Sequence, residues 1–152
     1  MTGRRVVLGV GNVLLGDEGV GVHAVRRLLE RGLPPGVEAF DGGTEGFGLL
    51  DLVSTCSRLV VVDCVRGGQA PGTIYRFEPG HISVARERYA TSIHQVGILE
   101  VLHFAALVGQ RPRTTIVGVE PAVLEVSRAL SPAVAARLDA VCETAILETA
   151  RP

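Results

Sequence analysis

The run Leu59 to Val65 reads LVVVDCV, and apart from Asp63 it is apolar and mostly β-branched. A strand of this composition has no polar face to offer water, so both of its faces must be covered. It therefore reads as an inner strand of a parallel sheet with helices packed above and below. Few other architectures accept such a segment, and the rest of the chain fits this one.

Val6 to Val10 is a second apolar run, and it ends in glycine as a buried parallel strand does where it enters a tight turn. A helix follows, with Val22, Val25, Leu28 and Leu29 on one face and Arg26, Arg27, Glu30 and Arg31 opposite. Gly32 and Pro34-Pro35 stop it. GVEAF is a short strand ending at Asp41, after which Thr44 is placed to cap a short helix carrying Phe47, Leu50 and Val53. GTIYRFEP alternates between glycine and proline and is expected as an antiparallel edge strand. Ser92 and Gln95 form a capping box ahead of an apolar helix, Ile98 to Leu107, closed by Gly109. TTIVGVEP is the last strand. Ser131-Pro132 opens a final helix that turns Val134, Leu138, Val141 and Ala145 inward. Strands alternating with helices give a three-layer α/β/α fold, with a doubly wound, mostly parallel twisted sheet and an antiparallel edge strand. Residues 1–152 read as a single domain, a length that typically buries about 68–70% of the unfolded surface.

Composition narrows the function. The chain is 47% apolar and 20% charged, with a net charge of −1 and no block of one sign. That is an ordinary compact domain, with no electrostatic case for nucleic acid or a membrane surface. Arg4-Arg5 before VVLGVGNVLL faintly imitates a signal peptide, but glycines and Asn12 interrupt it and Asp17-Glu18 replace the small-residue cleavage site. Cys56, Cys64 and Cys142 are an odd, widely spaced set without a CxxC pair, as expected of free thiols in the cytoplasm.

In open α/β sheets, ligands bind beyond the carboxyl ends of the strands, where strand order reverses. The strands deliver Asn12, Asp17, Glu18, Asp41, Asp63 and Glu120 to that edge, and the capping-box helix brings His94 as its second residue. If the first and third strands are neighbours, Glu18 and Asp63 flank the reversal. Two carboxylates in one cleft repel unless a cation arrives. An imidazole at a helix N-terminus stays neutral and able to donate its lone pair. Glu18, Asp63 and His94 together suit zinc, iron or nickel. Each residue also has a plainer role: Asp17 as an N-cap, Asp63 as an acceptor of backbone amides, His94 as a helix-start residue. His23, His81 and His103 are placed off the site. No GxSxG elbow is present, and Cys64 points to the opposite face from Asp63. Hydrolysis here would use metal and water.

GVGNVLLGDEGVG, DGGT, VVVDCV, SIHQVG and GVEP, in that order, closely resemble the hydrogenase maturation endopeptidases. The likeness runs from about Val6 to the final helix and includes LSPAV. It implies a twisted sheet between helices and removal of a C-terminal peptide from the precursor of a nickel–iron hydrogenase large subunit after nickel insertion. The family's metal-binding residues match Glu18, Asp63 and His94. The resemblance further implies that these recognise nickel already held by the precursor, so the isolated enzyme need carry no metal. Two rivals stand beside it. GVGNVLLG begins like a dinucleotide loop, but Leu14 replaces the third glycine and Asp17-Glu18 would face the pyrophosphate. A non-catalytic metal-sensing or chaperone module would use the same three ligands.

Overall fold

The computed structural model describes residues 3–79 and 93–152, with the side chains of Phe47 and residues 93–96 outside the description. Its strands are β1 (Arg4–Val10), β2 (Val37–Gly43), β3 (Cys56–Cys64), β4 (Ile74–Phe77) and β5 (Arg113–Val119). Its helices are α1 (Val20–Arg31), α2 (Leu50–Thr55), α3 (Ile93–Leu107), α4 (Pro132–Ala135) and α5 (Leu138–Thr149). The sheet order is β2-β1-β3-β5-β4. β1, β2, β3 and β5 pair in parallel, and β4 runs antiparallel to β5 at the edge.

The expected central strand is where the sequence put it. Leu59, Val60, Val61 and Val62 are fully buried, and alternation deals them to two cores. Val60, Val62 and Cys64 face α1, α4 and α5, packing with Leu28, Val134, Val141 and Ala145. Leu59, Val61 and Val65 face α2 and α3, packing with Val53, Ile98, Val101 and Ala105. This is the three-layer arrangement, and it requires both faces of β3 to be apolar.

At four points local structure departs from the sequence reading. Leu29 is exposed, because α1 buries a narrower stripe formed by Val22, Val25 and Leu28 together with Val20, Gly21 and Ala24. Thr44 is not the N-cap of α2: a 3-10 turn over Gly46–Leu49 leads into that helix, whose N-cap Leu49 makes no side-chain cap bond. Ser131 precedes Pro132 as expected, but its hydroxyl donates to Asp17 and caps no amide. The final helix is also two helices, broken at Ala136-Arg137, although Val134, Leu138, Val141 and Ala145 all turn inward. α3 begins at Ile93 and is closed by Gly109 at φ 84°, while Ser92 of the expected capping box and His81 lie outside the described residues.

Candidate active site

Strand order reverses between β1 and β3, which neighbour each other while β2 and β5 lie on either side. The carboxyl ends of β1 and β3 therefore open the crevice in which a ligand is expected. Asp63 is the penultimate residue of β3 and has no solvent exposure. One of its carboxylate oxygens accepts the Cys64 N–H at 2.7 Å. Alternation sets it on the α2/α3 face, between Val61 and Val65.

Glu18 arrives from the other side. After β1 the chain turns at Gly11, runs through an Asx turn in which Leu14 N–H donates to the Asn12 side chain, and forms a 3-10 turn over Gly16–Gly19. Glu18 sits in that turn at 9% exposure. Gly11 has φ 127°, and a Cβ there would lie 2.1 Å from the Glu18 carbonyl oxygen and 3.5 Å from Asp63 Oδ1. A side chain at Gly11 would wedge the Glu18 turn away from Asp63. Gly21 serves a second close approach: a Cβ there would meet the Val62 carbonyl at 2.0 Å, so α1 can lie against the backbone of β3 only with glycine at that place. Glycines of this motif are spent on backbone packing. With two buried acids at the mouth of α1, the loop does not suit a pyrophosphate.

The third expected ligand is on α3. His94 is the second residue of that helix. Its side chain lies outside the described residues, but the helix is placed. Gly97 and Ile98, one turn further on, line a cavity of about 170 Å³ with Val10, Gly43, Thr44, Gly46 and Leu49. The start of α3 thus stands at the carboxyl edge of the sheet, on the face to which Asp63 belongs. Among the described residues no three His, Cys, Asp or Glu side chains are grouped to hold a metal. Glu18 and Asp63 bring two buried acids to this edge, with the Glu18 backbone carbonyl and Asp63 Oδ1 both close to Gly11, and carboxylates are hard, anionic donors that accept a divalent cation or a proton.

Other polar groups delivered to this edge are occupied elsewhere. Glu120 accepts from the Gly67 and Gln69 amides and the Tyr75 hydroxyl, fastening the loop after β3. Asp41 faces Arg26 at 3.6 Å near solvent. His103 is exposed on the outer side of α3. Burial holds the His23 pKa down, assisted by Arg26 and opposed by Asp17.

Asp17 overturns its reading as an N-cap. It is fully buried and α1 is entered through Gly19. Its Oδ2 accepts from the Ala122 and Val123 amides and the Ser131 hydroxyl, and its Oδ1 from the Ser131 amide, all at 2.8–2.9 Å. Burial pushes this carboxyl up, but donors from Val123, Ser131 and Ala122 outweigh it and hold it below the usual carboxylate range. Its partners lie 105 to 114 residues away, so no local pattern in the sequence announces them.

No thiol nucleophile is set up here. Cys64 is buried on the α1 face, and burial together with the charges of Asp63, Glu18 and Asp17 pushes its pKa well up. Cys56 is pushed up to about 11, chiefly by burial. All three cysteines are free and buried. An alkylating reagent at about pH 8 is expected to leave the native protein unlabelled and to label every cysteine after denaturation, read as mass shifts. Rapid native labelling of Cys64 would reverse this assignment.

The family model for HycI, hydrogenase maturation protease, matches residues 22–148. The hydrogenase expression/formation protein HupD of Rhodobacter capsulatus is 38% identical over 148 residues, covering 95% of this chain and 70% of the relative. The chain belongs to the hydrogenase maturation protease family. Hydrogenase 2 maturation protease of Escherichia coli K12 is 38% identical over 143 residues, 92% of this chain and 87% of its own length. The solved structure of hydrogenase maturating endopeptidase HybD from E. coli superposes with a TM-score of 0.82 at 36% identity, covering 91% of this chain and 87% of that one. The shared fold is the mostly parallel five-stranded sheet with its antiparallel edge. Among the described residues no helix is long and apolar enough to cross a membrane.

Proposed function

We propose that this protein is an endopeptidase that removes the C-terminal extension from a nickel–iron hydrogenase large-subunit precursor after nickel has been inserted. One observation supports the reading within a protease family: two buried acids, Glu18 and Asp63, come from the elements that open the reversal edge, where the Glu18 backbone carbonyl and Asp63 Oδ1 both crowd Gly11. Two acids at one edge suit a cation between them. In this reading the cation is nickel carried by the precursor, and it belongs to the substrate. Glu18, Asp63 and His94 are the residues that would face it. Docking on the metal would align the C-terminal segment along the edge between β1, β2 and α3, where glycines 43, 46 and 97 leave room for a peptide backbone. Hydrolysis adds water across the scissile amide, and in this reading the two carboxylates would accept its proton.

The test is incubation with nickel-loaded and nickel-free precursor, followed by intact-mass measurement. Loss of the C-terminal peptide only from the nickel-loaded form is expected. Equal cleavage of both forms would remove nickel from the reading, and cleavage of neither would remove the protease. His94→Gln keeps a residue tolerated at a helix start. It is expected to fold with an unchanged circular dichroism spectrum and to leave nickel-loaded precursor uncut. An active His94→Gln protein would take His94 out of the site.

A further inference from the structure

The acidic turn is fastened to a neighbouring loop that the site itself does not use. Gly16 N–H donates to the Ser127 carbonyl, Asp17 N–H to the Val123 carbonyl, and Ser127 N–H to the Leu14 carbonyl, all at 2.8–2.9 Å. With the four bonds accepted by Asp17, residues 14–17 and 122–131 form one stitched rim beside Glu18. This rim presents Leu14 at 51% exposure, Val123 at 39% and Val126 at 86%. Single exposed aliphatic residues are ordinary. Three on two loops bound to each other by backbone bonds, with Leu14 four residues from Glu18, are a local concentration of them.

We propose that this rim, centred on Leu14, Val123 and Val126, is the docking surface for the folded body of the precursor, a proposal that rests on the proteolytic reading above. The substrate is itself a protein, and a specific protein contact covers about 800 Å² on each partner. A contact that brings any part of the precursor to the buried Glu18 and Asp63 must extend over the adjoining loops. The rim is fixed by backbone bonds before the partner arrives, so little ordering entropy is lost on contact. Its exposed side chains are aliphatic, and the matching partner surface is an apolar patch beside the nickel site of the precursor.

Steady-state cleavage of nickel-loaded precursor by the full chain tests this, using the double variant Leu14→Asp/Val126→Asp. Its counterpart Leu14→Lys/Val126→Lys separates lost apolar contact from charge. Leu107→Asp is the control: it is exposed at the far end of α3, which rises ~1.5 Å per residue and so ends roughly 20 Å from its start. Both rim variants are expected to raise KM by about tenfold or more with kcat within about twofold, the signature of lost uniform binding. The control should match the parent. A double variant with the parent's KM, or one that loses kcat while keeping KM, overturns the rim as a docking surface while the proteolytic reading stands. A parent that neither binds nor cuts the precursor overturns both.

Discussion

Asp63→Asn and Glu18→Gln are each expected to lower the rate of precursor cleavage by more than about 100-fold while the protein still folds. Loss of a group that only supports a metal ligand typically costs 10–100-fold, so removing a ligand's charge should exceed that. Both changes preserve size. In Asp63→Asn the amide oxygen still accepts the Cys64 N–H, the bond that Asp63 makes at 2.7 Å in the parent. Neutralising a fully buried carboxylate also relieves its desolvation. The unfolding temperature should therefore stay within a few degrees, a shift of about 1 kcal/mol at this chain length. Intact-mass kinetics with nickel-loaded precursor and thermal melts decide the matter together. Wild-type cleavage by either variant would remove that residue from the site. A large fall in melting temperature would make it a fold residue instead.

The parts of this protein that were legible in its sequence are those whose cause is local or periodic. LVVVDCV announced a strand covered on both faces because every second residue on either side had to be apolar, and the two cores divide at that strand. The reversal between β1 and β3 agrees with treating those two runs as neighbours, which sets the loop of Glu18 and the strand end of Asp63 at one edge. What stayed hidden depends on distant backbone. Asp17 looks like any acid before a helix, and its partners Ala122, Val123 and Ser131 are reached only through tertiary contact. Ser131 was misread for the same reason: serine before proline is the usual cap pattern, and a buried carboxylate took its hydroxyl. Glu120, delivered to the functional edge by β5, is taken up by Gly67, Gln69 and Tyr75, and only the fold reveals that.

The largest expected effect on stability belongs to Asp17. Asp17→Ala leaves the Ala122, Val123 and Ser131 amides and the Ser131 hydroxyl without their acceptor. A buried donor left unsatisfied costs about 1–3 kcal/mol. Ala122 and Val123 are on an exposed loop where water replaces part of the loss, whereas the Ser131 group is buried. A total of about 3 kcal/mol follows, or roughly 6–12 °C in melting temperature for a domain of this length. Asp17→Asn should fall between, since its amide retains one acceptor oxygen and turns an NH₂ toward donors. The sign of the pH dependence is fixed by the lowered folded pKa. The stabilisation is fully present above the unfolded value of about 3.9 and is lost as pH falls through the lower folded value. Acid melts of the parent should therefore steepen below about pH 4, and Asp17→Asn, having no proton to bind there, should lose that increment. Melting curves at several pH values test both statements. An Asp17→Ala protein as stable as the parent would mean that the rim holds without its carboxylate, and the placement of Glu18 would then need another support.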